Sequence, residues 1–181
     1  AITLLNTLSQ VMKLGGYSDY RKMILEQAHV YNTPLGEQTD ALLFDEFHRL
    51  ASTAPEGAGD VMSNGRAMPY RHRAGDLVWF DFEALCGPPR SKNDYIELAR
   101  THQTVFISDI PIMGGSRDDR TRRFIFLVDE FYDRRVKLVV SAEAPVHRLY
   151  IGERLAFEFQ RTVSRLTEMQ TAPFLGKQHL C

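Results

Sequence analysis

The sequence predicts an α/β protein in which a helical N-terminal segment is followed by a small parallel-sheet α/β part with a β-hairpin. Two short apolar segments rich in β-branched residues, Thr104–Ile107 and Lys137–Val140, are typical of strands buried on both faces. A helical pattern over about 117–134 separates them, and this strand–helix–strand order predicts a right-handed parallel unit. The segments Arg66–Arg73 and Leu77–Phe82 flank a turn and predict the hairpin.

Helices are predicted for most of the chain before residue 52. Apolar residues recur at helical spacing over Ile2–Met12, and Gly15 ends that pattern. The segment Asp19–Tyr31 is also predicted to be helical. A turn then precedes a third helix ending near Ala51, whose apolar residues share one face.

Small and turn-forming residues dominate Ser52–Gly65, which predicts an exposed loop or linker. The linker, taken as residues 53–65, divides the chain into a helical region over 1–52 and a C-terminal α/β domain over 66–181. In the C-terminal domain, Ser91 is expected to cap a helix that runs to about Thr101. Two more helices are predicted, over Pro145–Tyr150 and Arg154–Gln170.

Composition excludes several broad classes of protein. The 181 residues carry 22 Lys and Arg against 23 Asp and Glu, a formal net charge of -1. This balance gives no electrostatic reason to expect binding to nucleic acid or to an anionic membrane. The apolar segments are far shorter than the ~20 residues of a membrane span. Cys86 and Cys181 are the only cysteines, which argues against a disulfide framework and predicts a cytoplasmic location.

Two segments look like a Walker B motif, an apolar strand that ends in Asp-Glu and holds Mg²⁺ beside phosphates. They are Leu42–Glu46 and Val128–Glu130. Both lie within patterns of helical period, and apolar residues continue on the same face beyond the acids. We therefore interpret both acidic pairs as solvated faces of helices.

Nucleotide hydrolysis by a P-loop is excluded for this polypeptide alone. A P-loop requires Gly-Lys followed by Ser or Thr, because the lysine reaches the terminal phosphates and the hydroxyl binds Mg²⁺. No lysine in the sequence is followed by Ser or Thr. The histidines lack zinc-ligand spacing and Cys86 lies in a context typical of a buried thiol, so we predict no catalytic residue and no metal ligand.

Two pairs of residues are candidates for nucleotide binding. Asp109 follows one predicted buried strand and Ser141 ends the next, and ligands of open α/β sheets gather at such carboxyl ends. Arg161 and Arg165 share one face of the last long helix, and arginine suits bidentate phosphate contacts. The alternatives are a helix cap or turn for Asp109, and internal ion pairs for the two arginines.

The sequence closely resembles the ZapE/AFG1-like AAA+ ATPase family over nearly its whole length. The matching segments keep the order and spacing of the family, and they are Asp19-Tyr20-Arg21, Tyr31-x-x-Pro34-Leu35, Val78–Cys86, Asp94-Tyr95-Ile96, Val105–Pro111, Arg123-Phe124-Ile125, Leu127–Asp133, Lys137–Ala142, Phe157–Thr162, Ser164-Arg165-Leu166 and Glu168-Met169-Gln170.

The resemblance implies that the family's P-loop, true Walker B motif and sensor lie before the matched region. This chain then corresponds to the C-terminal portion only, and residues 1–52 follow the nucleotide core. For the full-length family it implies ATP and Mg²⁺, with cell division or protein remodelling as the process. For this chain alone we expect no cofactor, and we expect an interaction or regulatory role. The resemblance implies that its partner is a protein of the division machinery. Self-association of the chain is left open. The alternative is a self-contained nucleotide-binding α/β domain that uses Asp109 and Arg161/Arg165, so the sequence does not decide whether this chain is an enzyme.

Overall fold

The computed structural model describes residues 16–181 of the chain. The helix predicted over Ile2–Met12 therefore lies outside the described residues. The described part has a mixed α/β fold, which confirms the predicted fold class. Its helices are α1 (Tyr17–Gln27), α2 (Glu37–Leu50), α3 (Phe82–Cys86), α4 (Lys92–Thr101), α5 (Asp118–Asp133), α6 (Ala156–Glu168) and α7 (Ala172–Leu175). Its strands are β1 (Tyr31–Asn32), β2 (Gly59–Ser63), β3 (Arg66–Tyr70), β4 (His72–Ala74), β5 (Leu77–Asp81), β6 (Thr104–Ile110) and β7 (Lys137–Ala142).

Five strands form the central sheet in the order β1-β7-β6-β5-β4. The first four run parallel, and β4 returns antiparallel to β5 as the predicted hairpin. Trp79, Phe106 and Val139 lie opposite one another across β5, β6 and β7. The carboxyl ends of β5, β6, β7 and β1 therefore lie along a single edge of the sheet, and their amino ends lie along the opposite edge.

The two faces of the sheet bury two separate hydrophobic cores. Leu77 and Trp79 of β5 pack against α1 and α2, where Phe47 is fully buried. Val78 and Phe80 face the other core, which α3, α4, α5 and α6 cover. Alternate residues of β5 therefore face opposite cores. Both faces are buried because parallel strands are covered by helices on either side, and each large apolar side chain contributes about 1.5–3 kcal/mol.

Residues 59–63 differ from the exposed loop predicted over Ser52–Gly65, because they form β2 and pair with β3. Asn64 and Gly65 have φ values of 49° and 75°, the left-handed geometry of a two-residue hairpin turn. The Asn-Gly pair was a hairpin signal that the surrounding small residues obscured. The strand predicted over Arg66–Arg73 is accordingly divided, since β3 pairs with β2 while β4 pairs with β5.

Two further predictions about local structure are corrected. The helix predicted over Asp19–Tyr31 ends at Gln27, and Tyr31–Asn32 forms β1 beside β7. The Tyr31 hydroxyl donates a hydrogen bond of 2.6 Å to the Ala144 carbonyl, which fixes β1 at the sheet edge. The helix predicted over Pro145–Tyr150 is only a 3-10 turn, Val146–Arg148.

Asp94 joins the β2–β3 hairpin to α4. Its carboxylate accepts hydrogen bonds from the Ser91 backbone N–H at 2.8 Å, as part of a capping box at the residue that the sequence predicts as the cap, and from the Ser63 hydroxyl at 2.9 Å. Arg66 Nη2 lies 3.0 Å from the second carboxylate oxygen. Burial opposes ionisation of Asp94, but hydrogen bonds from Ser91, Asn64 and Ser63 lower its pKa below the ordinary value.

Candidate functional site

The carboxyl edge of the parallel sheet brings together side chains from separate parts of the sequence. Asp81 ends β5, Asp109 lies near the end of β6, and Ser141 lies near the end of β7. Asn32 ends β1 opposite Ser141. Crevices at such an edge are where open α/β sheets bind ligands, so this edge is the candidate site.

Asp109 and Ser141 are in direct contact, as the positions of the two strand ends predict. The backbone N–H of Asp109 donates a hydrogen bond of 3.1 Å to the buried Ser141 hydroxyl. Asp109 has a φ of 63°, which is sterically unfavourable for a residue with a β-carbon. The pairing between β6 and β7 shifts register between Ile107 and Ile110, so the backbone at Asp109 leaves the ladder. This irregularity turns the Asp109 carboxylate toward the surface, where about half of the side chain is exposed.

Arg71 connects the two carboxylates of the site. Its Nη2 atom lies 2.9 Å from Asp109 Oδ2 and also contacts Asp81 Oδ1. The guanidinium carbon lies 5.6 Å from the centre of the Trp79 ring, within reach of a cation–π interaction. Burial opposes the charge of Arg71, but the hydrogen bond and charge of Asp81, followed by the charge of Asp109, raise its pKa. Both carboxylates therefore carry an internal counterion, which leaves them poorly suited to hold Mg²⁺.

Hydrogen bonding fixes the interior side of the site. The Trp79 indole N–H donates to the Ser108 hydroxyl at 2.8 Å, and both residues are buried. The rings of Phe44, His48 and His72 cluster beside Trp79, with 5.4 Å between the centres of the His72 and Trp79 rings. Burial is the main cause that lowers the pKa of His72. The site is thus a rigid, internally bonded group with an aromatic flank.

Arg161 and Arg165 do not join this group. Arg161 Nη2 lies 2.8 Å from Asp129 Oδ2, and Arg165 contacts the other oxygen of the same carboxylate. Phe159 packs on Phe124 near the starts of the two helices, which indicates that α6 runs in the same direction as α5. Asp129 lies eleven residues after the first residue of α5, which is about 16 Å along the helix from its start next to the carboxyl edge.

The acidic pairs that look like Walker B motifs lie on helices, as predicted. Asp45 and Glu46 belong to α2, and Glu46 pairs with Arg49 at 2.8 Å. Asp129 and Glu130 belong to α5, and Glu130 Oε1 lies 3.3 Å from Lys92 Nζ. None of these carboxylates lies at the end of a strand, so none can act as the Mg²⁺ ligand of a Walker B motif.

Several arrangements are absent from the described part of the chain. Residues 16–181 contain no group of three or more His, Cys, Asp or Glu side chains placed to hold a metal ion. None of the helices within that range combines the length and the apolar character of a membrane span. The Cys86 thiol is buried, and burial raises its pKa, so it does not provide a reactive thiolate.

Sequence reasoning missed Arg71 and Asp81 as members of the site. Arg71 lies close in the sequence to Arg66 and Arg73, and no sequence pattern links this basic group to the carboxyl edge of the sheet. In the structure Arg66 pairs with Asp94 and Arg71 pairs with Asp81 and Asp109, so two of the three arginines are held internally. The position of Asp81 at the end of a predicted strand was the signal that could have identified it.

The fold and this edge define a member of the parallel α/β class in which ligand sites lie at strand ends. The chain belongs to the AFG1-like ATPase family, whose model matches residues 1–178.

The chain is similar to three proteins of known sequence. It is 41% identical over 180 residues to the cell division protein ZapE of Escherichia coli (strain K12), covering 99% of this chain and 48% of that protein. An uncharacterized protein of Schizosaccharomyces pombe is 33% identical over 151 residues, covering 82% of this chain and 33% of that protein. Lactation elevated protein 1 homolog B of Danio rerio is 28% identical over 212 residues, covering 96% and 41%.

The chain thus spans less than half the length of each of these relatives. No solved structure matches the chain.

Proposed function

We propose that this chain is the C-terminal part of an AFG1-like ATPase that acts in cell division or protein remodelling, and that this part serves interaction or regulation and does not hydrolyse ATP by itself. The observation that carries the proposal is the match to the family over residues 1–178 in a sequence that has no P-loop. In this proposal ATP and Mg²⁺ belong to the whole protein. Its location is the cytoplasm, and the partner is a protein of the division machinery.

The geometry of the carboxyl edge supports a role without hydrolysis. A hydrolytic site needs a free carboxylate to hold Mg²⁺ or to orient water. Asp81 and Asp109 are both engaged by Arg71, and Arg161 and Arg165 are both engaged by Asp129. These four charged side chains therefore already have partners within the fold.

An exposed apolar pair supports the interaction role. Ile151 and Phe157 are 75% and 83% exposed, although the neighbouring Tyr150 and Phe159 pack together in the core. The loop at Gly114 lies beside the loop that contains Ile151 and Gly152. A β-carbon on Gly114 would come within 2.7 Å of the Gly152 backbone nitrogen, so glycine allows the two loops to pack closely.

The experiment that tests the interaction role replaces Ile151 and Phe157 with serine. Serine should not reduce stability at such exposed positions, and the melting temperature should stay the same. Crosslinking in cells, read by mass spectrometry, should then show fewer crosslinks to proteins of the division machinery. Met62→Ser is the matched control, because Met62 is 60% exposed on the separate β2–β3 hairpin. Equal crosslinking by the Ile151/Phe157 variant and the control would refute this surface.

The contact between Asp109 and Ser141 favours a second candidate, nucleotide binding by the chain itself. The two residues meet at the edge where α/β sheets bind ligands, and Asp109 holds an unfavourable φ there. A nucleotide binder should melt at a higher temperature with ATP and Mg²⁺, by mass action. Asp109→Ala should remove that increase while leaving the protein folded. This candidate would be rejected if ATP and Mg²⁺ did not raise the melting temperature, or if they raised it equally in Asp109→Ala.

A further inference from the structure

A cavity of about 610 Å³ lies at the amino edge of the sheet, opposite the candidate site. The residues that precede or begin three strands line it, namely Asp76, Thr104 and Lys137. Helix α1 and the C-terminal segment that follows α7 complete the walls. A volume of this size is within the range of pockets that hold small ligands. We call it the amino-edge cavity.

The charges that line the amino-edge cavity are mostly positive. The acidic residues in the lining are Asp19 and Asp76, and Asp76 already pairs with Arg21 at 2.8 Å. The basic residues in the lining are Arg21, Lys22, Arg135, Lys137, Lys177 and His179. Lys22 and Lys177 form exposed ion pairs with Glu26 and Glu168. Arg135 and Lys137 form no ion pair within the described residues.

Lys137 is a buried cation of the lining, since only 6% of the residue is exposed, the same fraction as for Arg21. Its ammonium group donates hydrogen bonds of 2.8 Å to the carbonyl oxygens of Arg135 and Lys177, and no third acceptor lies within the described residues. An ammonium group has three donors, and the remaining one has no oxygen acceptor among the described residues, although the centre of the Phe174 ring lies 4.9 Å from Nζ. Burial, followed by the charges of Arg135 and Lys177, lowers the pKa of Lys137 to about 8.

Two more residues of the lining, Thr104 and Arg135, have unusual local features. The hydroxyl of Thr104 is fully buried and has no hydrogen-bond partner among residues 16–181. Arg135 adopts a φ of 58° as the left-handed residue that ends α5, where the N–H groups of Arg135 and Val136 donate to the carbonyls of Tyr132 and Phe131. The sequence before residue 16 contains no Asp or Glu, so it offers no carboxylate side chain to neutralise the cations. The basic side chains of the lining outnumber its acidic side chains, Asp19 and Asp76, so a bound anion would balance part of the remaining positive charge.

We propose that the amino-edge cavity binds a small phosphate-bearing anion, held by Lys137, Arg135 and the Thr104 hydroxyl. A phosphate group offers several oxygens that can accept from an ammonium, a guanidinium and a hydroxyl at once. Inorganic polyphosphate and the phosphates of a free nucleotide share this chemistry. The cavity lies at the edge of the sheet opposite Asp109, so the inference is independent of the proposed function.

The test is isothermal titration of the full 181-residue chain with inorganic pyrophosphate and, separately, with ATP, both without Mg²⁺. Arg135→Gly removes one cation and also relieves the unfavourable φ, so it should fold at least as well as the wild type. Lys137→Met replaces the buried cation by an apolar side chain of similar length. We expect pyrophosphate to bind, and each substitution to weaken binding at least tenfold. Arg122→Gln, at an exposed arginine outside the cavity, should bind as the wild type does.

The two titrants distinguish the sources of the phosphate. Binding of pyrophosphate and ATP with similar affinity supports recognition of the phosphates alone, and tighter binding of ATP supports a nucleotide as the occupant. No binding of pyrophosphate at millimolar concentration would overturn the proposal. The proposal would also be overturned if Arg135→Gly weakened binding no more than Arg122→Gln does. It would be overturned as well if ATP bound and only Asp109→Ala removed that binding. Because Arg135→Gly is not expected to unfold the chain, misfolding of Lys137→Met would leave the test intact.

Discussion

His102 makes the stability of this protein depend on pH in a defined window. The residue follows α4 and is only 3% exposed. Its Nδ1 atom lies 2.8 Å from the Thr101 hydroxyl and 3.3 Å from the Leu98 carbonyl, while its buried Nε2 has no partner among residues 16–181. Burial is the main cause that lowers the pKa of His102 to about 4, and the charge of Arg73 adds to it.

The size of the effect follows from the difference in pKa between the two states. An unfolded histidine has a pKa of about 6.5, and each unit of difference corresponds to about 1.4 kcal/mol. Between pH 6.5 and pH 4 the unfolded chain binds a proton that the folded chain excludes, so the free energy of unfolding falls as the pH falls. His102 should therefore account for a loss of about 3 kcal/mol across this window. Above pH 7 its contribution should be constant, because both states hold a neutral ring.

The assay compares the wild type with His102→Asn, since asparagine can keep the hydrogen bond near Nδ1 but does not titrate. Urea unfolding can be followed by the fluorescence of Trp79, the only tryptophan in the sequence. The free energy of unfolding of the wild type minus that of the variant should fall by about 3 kcal/mol between pH 6.5 and pH 4. His147→Asn, at an exposed histidine, should show no such fall. A difference that stays flat from pH 7 to pH 4 would refute the reasoning.

Two further substitutions test the contacts around the sheet. Ser108→Ala leaves the buried Trp79 indole N–H without an acceptor and should lower the free energy of unfolding by about 1–3 kcal/mol, measured by urea titration. An unchanged unfolding midpoint and unchanged tryptophan emission would show that this hydrogen bond does not stabilise the fold. Asp94→Ala removes the buried carboxylate that accepts from Ser91 and Ser63, and it should lower the free energy of unfolding by about 1–3 kcal/mol, measured by calorimetry. Asp60→Ala, on the exposed face of the same hairpin, is its control, and equal losses would contradict the role of Asp94.

The central strands could be predicted from the sequence because local composition determines them. β6 and β7 are short apolar segments between helical patterns, and the alternation in β5 separates Trp79 from Phe80. β1 could not be predicted in this way, since it has two residues and exists only because β7 offers an unpaired edge. β2 was hidden for a different reason, because its Asn-Gly turn lies within a stretch of other small residues.

Only those residues of the candidate site that lie at the end of a predicted strand could be predicted from the sequence. Asp109 and Ser141 follow from the strand ends, and the sheet order then brings them into contact. Arg71 could not be assigned, because its partners come from β5 and β6 and are known only once the order of the strands is known. Whether Arg161 and Arg165 bind nucleotide stays a prediction, although both arginines have an internal partner in the structure.

The amino-edge cavity could not be predicted from sequence patterns for the same physical reason. Arg135 and Lys137 are close in sequence, but α1 and the C-terminal segment that complete the cavity are distant from them. No local pattern indicates that a lysine at the start of a buried strand will lack a carboxylate partner. That information resides in the packing of elements that are distant in sequence, such as β7 and the segment at Lys177, which lies 40 residues after Lys137.

Release of phosphate from ATP by the 181-residue chain tests most directly whether this part of an AFG1-like ATPase works without hydrolysis. The wild type and Asp109→Ala should be assayed side by side at saturating ATP and Mg²⁺. We expect no release above that of buffer from either protein, because the sequence has no P-loop and the carboxylates at the strand ends are held by Arg71. Sustained release by the wild type that Asp109→Ala abolishes would contradict the proposed function and assign hydrolysis to the carboxyl edge.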